Sequence, residues 1–122
     1  MSERITWAPS TVDSRQAQVI EASKGPFYIT TFRKGTKWLR PELVGQRVEL
    51  FDEKTQAVFA TAEVVSIKYC LFHTIGEEDY YGQSYPEISV DEMLGVMKSV
   101  YDDEYDMNTG TTIVTLEHVE LV

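Results

Sequence analysis

The Gly25-Pro26 pair is the feature that most constrains this chain. Proline has no amide hydrogen to give to a helix, and its ring disfavours helical backbone in the residue before it, so no helix continues through this point. On the N-terminal side, Ser10 or Thr11 offers an N-cap and Asp13 an acidic first turn for an amphipathic helix that runs to about Ser23. On the C-terminal side, residues 27–33 are rich in aromatic and β-branched side chains and read as a strand. A loop carrying Lys34, Lys37 and Arg40 follows, and Gly45 leads into a second strand at 47–51.

Around this unit the other elements fall in a clear order. Residues 5–7 read as a short strand. A polar turn at 52–56 separates the strand at 47–51 from a long apolar run at 57–68, which makes a hairpin. Val90, Met93, Leu94, Met97, Val100 and Tyr101 recur at helical spacing, and Ser89 with Glu92 has the form of a capping box. The Met and aliphatic stripe of this helix is read as the side that packs on the sheet. Asp102, Asp103 and Glu104 then put negative charge at the helix end where the backbone dipole disfavours it. Residues 111–119, rich in Thr, Val and Ile, return as a last strand into the sheet.

Composition bounds the function classes. The 122 residues suit one domain with a single core, with no repeat or Gly/Ser-rich linker to divide them. No apolar run approaches the roughly eighteen residues of a membrane span, and no signal-peptide pattern follows Met1, so a cytoplasmic, membrane-free protein is expected. The single cysteine, Cys70, has no partner for an internal disulfide and reads as a small hydrophobe near a strand end. His73 and His118 lie in no paired-ligand motif, and there is neither a Walker-type phosphate loop nor a G-x-S-x-G elbow, so no metal or cofactor is expected. The net charge of -9 is unevenly spread: residues 1–54 hold nine Lys and Arg against seven Asp and Glu, and residues 55–122 two against thirteen. An acidic body repels an extended polyanion, while a local basic loop still serves a small or short ligand.

The order of helix, lysine, strand ending in arginine, glycine-led strand, long strand, acidic loop, helix and final strand resembles the ASCH domain, a relative of the PUA-like RNA-binding barrels. Lys24, Arg33 and Gly45-Gln46-Arg47-Val48 occupy the family's positions, with Ala22-Ser23-Lys24 standing where the family has glycine, any residue and lysine. Gly35-Thr36-Lys37 offers a second register for that motif; Lys24 is taken because of the helix before it and the strand after it. The resemblance implies an α+β, single-domain PUA-like mixed β-barrel with flanking helices, and a function in recognising RNA or a modified nucleoside.

One bacterial branch of that family removes the acyl group from acetylated cytidine, and resemblance to it implies a catalytic set of Lys24, Thr31 and Glu87, with Thr30 as the alternative to Thr31. A lysine serves as base or nucleophile when burial or a nearby cation, here Arg33, lowers its pKa. Glu87 would donate a proton to the leaving amine, and Thr31 would orient water or the substrate carbonyl. Independently of the family, Arg33, Lys34, Lys37 and Arg40 around Gly35, with Trp38 among them, have the composition of a phosphate and base grip. Residues 76–87 add Tyr80, Tyr81 and Tyr85 in an acidic loop, which suits a lid over a base or a contact with a protein. The rival class is a non-enzymatic interaction module whose acidic half engages a basic protein partner.

Overall fold

The computed structural model describes residues 4–7, 28–53, 55–81 and 89–122. The helix expected before Gly25-Pro26 lies outside them. Five strands, β1 (Arg4–Trp7), β2 (Ile29–Lys34), β3 (Arg47–Asp52), β4 (Ala57–Leu71) and β5 (Gly110–Leu121), form one sheet in the order β1-β3-β4-β5-β2. β1 runs parallel to β3 and the other neighbours are antiparallel, so the sheet is mixed. It is curled into a half-barrel, and two helices lie among the described residues: α1 (Glu77–Tyr81) and α2 (Val90–Val100). The architecture is α+β, as the sequence implied.

The curl has a local cause. Three irregularities interrupt the ladders of β4, one against β3 between Leu50 and Phe51 and two against β5, between Thr61 and Glu63 and between Val64 and Ser66. Each bulge adds a residue to one strand, bends it and increases its twist. The bulge on β5 is marked by His118, whose φ of 52° is left-handed, and its carbonyl accepts a hydrogen bond from Arg47 Nη2 at 2.8 Å. Against β5, the bulge on β4 falls at Val65 and shifts the strand's alternation by one residue. Without it, the inward set that includes Ala60, Ala62 and Val64 would continue through Ser66 and Lys68; with it, Ile67 and Tyr69 take the inner face.

The two faces bury different cores. The inner face holds Ile5, Ile29, Leu43, Val48, Leu50, Val64, Val114 and Leu116, with Trp38, Phe59 and Ile67 packed against them. The outer face carries Phe32 and Ile113, which meet Phe72, Tyr80, Met93, Met97 and Tyr105 from the helices and loops. The methionines of α2 are therefore core, on the side that faces the sheet. Ser89 caps this helix, its Oγ accepting from the Glu92 amide at 3.1 Å. Cys70 is partly buried against the same cluster.

Residues 77–81 depart from expectation: they form α1 where the sequence read as loop. Glu77, Glu78 and Asp79 suit the positive end of a helix dipole. β2 and the residue before it supply donors for the carbonyls that a one-turn helix leaves unpaired, since the Tyr28 hydroxyl donates to the Glu78 carbonyl at 2.6 Å and Thr30 Oγ1 to the Asp79 carbonyl at 2.5 Å. Tertiary bonds, which local composition does not display, hold this turn.

Tyr105 is the largest fully buried side chain among the described residues, edge-on to Phe72, with its hydroxyl 2.6 Å from Thr111 Oγ1. Burial pushes its pKa up to about 12 despite that hydrogen bond, which acts in the opposite direction. An acid whose folded pKa lies above its unfolded value of 10.0 contributes stability in full below that value and loses it as pH rises through the folded pKa. Tyr105→Phe should lower stability by about 1–2 kcal/mol at neutral pH, measured from urea midpoints. It should also flatten the fall in stability between about pH 10 and 12.

Candidate functional site

The register of β2, β5 and β4 arranges the inner face in rows. Ile29, Leu116 and Val64 stand opposite one another and are fully buried. The next row is Thr31, Val114 and Ile67, and the one beyond it is Arg33, Thr112 and Tyr69. Along the strands the face thus passes from wholly apolar, through one buried hydroxyl, to a cation, a second hydroxyl and a phenol. In this row Tyr69 is half exposed, Arg33 partly buried and Thr112 fully buried, and Leu71 opposite Gly110 follows it on the same face.

Arg33 is the charged group of that row. Its Nε donates to Thr31 Oγ1 at 2.9 Å and its Nη1 to the Thr6 carbonyl at 2.8 Å. The second bond crosses from β2 to β1, the two outermost strands of the sheet. Burial lowers the Arg33 pKa, and Tyr101 acts in the other direction, favouring the charged guanidinium. Arginine keeps its charge under such opposing influences because its intrinsic pKa is above 12. Thr112 Oγ1 donates to the Gly35 carbonyl at 2.6 Å, and the Gly35 amide to the Gly110 carbonyl at 2.8 Å, which fixes the turn leaving β2. Gly35 sits at φ 76°, a conformation that favours glycine.

The curled mixed sheet and its helices have counterparts among solved structures, although no protein-family model and no curated protein matches the chain. The ASCH domain of Lactobacillus crispatus superposes with a TM-score of 0.61 at 10% identity, over 94% of this chain and 77% of that one. A DUF984 protein of Enterococcus faecalis gives 0.66 at 13% identity, over 99% and 78%. An ASCH protein of Zymomonas mobilis gives 0.56 at 15% identity, over 93% and 67%. The fold is ASCH-like.

On this ASCH-like frame the sequence-derived residues separate. Thr31 is buried and bonded to Arg33; Thr30, one residue earlier, faces the outer layer and donates to α1. Lys24, Tyr85 and Glu87 lie outside the described residues, and Tyr81 ends α1. Lys34, next to Arg33, points to the opposite face, because successive strand residues alternate. There its Nζ is 2.6 Å from Asp102 Oδ2, which raises the lysine pKa and lowers that of the carboxyl. That pair also accounts for the acidic residue after α2: Asp102 answers Lys34, and its Oδ1 accepts from the Glu104 amide at 3.0 Å. Arg40 pairs with Glu42 at 3.0 Å, Trp38 packs on the inner core and Lys37 is exposed. Arg33, Lys34 and Arg40 are therefore not gathered into one grip.

Sequence reading did not single out Thr112 or Tyr69. Nothing in the strand patterns of β4 and β5 marks either residue until the register is known. Among the described residues no group of three or more His, Cys, Asp or Glu is placed to hold a metal, and no helix is long and apolar enough to cross a membrane.

A second concave feature lies on the outer face, a cleft of about 310 Å³ lined by Tyr28, Val65, Glu78, Asp79, Thr115 and Glu117. Lys68 Nζ reaches Asp79 Oδ2 at 2.7 Å there, and that hydrogen bond is the chief cause of its raised pKa.

Arg33→Met should destabilise the protein by about 2–3 kcal/mol, since it removes charge-assisted bonds and leaves the Thr6 carbonyl without this donor. Asp102→Asn, at an exposed ion pair, should leave the urea midpoint close to that of the wild type. Parallel urea titrations would measure both.

Proposed function

We propose that this domain recognises RNA or a modified nucleoside at the Arg33 end of its inner face. The observation that carries the reading is the row of Arg33, Thr112 and Tyr69, where a largely apolar concave surface carries hydrogen-bonding groups beside a half-exposed phenol, with the guanidinium oriented by the Thr31 hydroxyl and the Thr6 carbonyl. A guanidinium so oriented suits a phosphate or a base carbonyl. The ASCH-like fold supports the same reading at the level of fold.

The finer extension of this reading is hydrolysis of an acylated cytidine. Water would add to the acyl carbonyl, the C–N bond would break and the amine would leave protonated. Lys24 would act as base or nucleophile and Glu87 as proton donor, with Thr31 orienting the reacting groups. The buried position of the Thr31 hydroxyl beside a cation is what supports its part.

A second reading rests on the outer cleft. Its carboxylates and the Tyr28 ring suit a basic segment of a protein partner, in the manner of an acidic interaction module. Salt-sensitive capture of a basic protein, unaffected by Lys24→Ala, would favour it.

The deciding experiment follows a labelled short single-stranded RNA by fluorescence polarisation, and acetylated cytidine by chromatography. Arg33→Lys, checked for folding by its thermal melt, should weaken binding about tenfold or more, because lysine cannot reproduce the planar fork. Unchanged affinity would remove Arg33 from the site. Conversion of acetylated cytidine by wild type and not by Lys24→Ala would establish the hydrolase extension; conversion by neither would leave recognition without catalysis.

A further inference from the structure

We propose that Tyr69 is a stacking shelf for one unpaired base, so that the ligand is taken as a single nucleoside or a splayed-out nucleotide and not as a tracked polynucleotide. The inference deepens the proposed function and rests on it.

Tyr69 reaches the inner face because of the bulge at Val65, and it stands opposite Thr112, in the same row as Arg33. It is 46% exposed although it belongs to a strand paired along this stretch with β5. Its side chain leans along the sheet over Gly110: a Cβ on Gly110 would collide with the Tyr69 hydroxyl and ring. A glycine at that position is what allows the ring to lie across the backbone. Gly35, bonded to Gly110 through its amide, has open space where a side chain would stand. Leu71, opposite Gly110 and 41% exposed, continues the apolar surface on the same face. The result is a half-exposed aromatic on a rigid strand, bare backbone beside it and a guanidinium at one end. Those features match a base, which has a π-face to stack and an edge to accept hydrogen bonds.

Among the described residues, charge placement favours one such unit, with Lys37 the exposed cation of the loop after β2. Tracking a phosphate backbone takes a run of cations on one face. Lys34 is turned to the outer face and paired with Asp102, and Arg40 is paired with Glu42. The body of the protein, at a net charge of -9, repels the remainder of a long strand.

The test titrates cytidine, acetylated cytidine and a short single-stranded RNA against wild type, Tyr69→Phe, Tyr69→Leu and Tyr69→Ala, at low and moderate salt, with thermal melts as a folding control. Tyr69→Phe should bind within about threefold of wild type. Tyr69→Leu and Tyr69→Ala should lose roughly ten- to hundredfold, the span of one stacked base. The RNA affinity should fall with salt with a slope near that of one phosphate contact. If Tyr69→Ala does not fold, Tyr69→Leu, which keeps apolar cover over Gly110, carries the comparison. Undiminished affinity in folded Tyr69→Leu, with loss in Arg33→Lys, would overturn the shelf and leave the proposed site standing. A slope of several phosphates would overturn the single-base ligand. Absence of binding by wild type to all three probes would overturn the proposed function and the shelf together.

Discussion

The hydrogen bond from Arg33 to the Thr6 carbonyl joins the first strand in the sheet order to the last. A curled sheet that stops short of closure leaves two edges with unmet backbone groups, and such edges invite pairing with other chains. Here one guanidinium spans the gap, while its second bond, to Thr31, fixes the direction from which it does so. The same side chain therefore sets the spacing of the sheet's ends and supplies the cation of the concave face. Any ligand that drew Arg33 toward itself would act on the closure of the sheet as well, so recognition and architecture share one residue.

The division between the faces follows from strand alternation. Arg33 and Lys34 are consecutive, yet one serves the inner surface and the other anchors the segment after α2 through Asp102. Residues that a linear reading gathers into one basic cluster belong to two layers. The acidic run after α2, unfavourable for the helix dipole taken alone, is offset in the same way by a cation from another element.

Much of the fold was legible in the chain. The stripe of α2 and its Ser89 cap, the hairpin from β3 to β4 and the return of β5 follow from periodicity and turn chemistry that act locally. What escaped is tertiary in origin. α1 forms because Tyr28 and Thr30, distant in sequence, satisfy its carbonyls, and β4 continues past Lys68 to Leu71 because β5 pairs with it that far. Of the candidate site, Arg33 could be named from the chain as part of a basic cluster at a strand end, while Thr31, with Thr30 as its alternative, entered through the family resemblance. Thr112 and Tyr69 could not be named, since their place beside Arg33 is set by register and by a bulge.

That bulge makes the concave surface sensitive to length more than to chemistry. A substitution at Val65 would alter one wall of the outer cleft. Loss of Val65 itself would leave Val64 opposite Leu116 and Ser66 opposite Thr115 in a regular ladder, with Lys68 still outward and Tyr69 still inward. A one-codon insertion after Ser66, by contrast, would bring Lys68 opposite Thr112 and turn Tyr69 outward, exchanging a phenol for an ammonium beside Arg33 without changing the strand order.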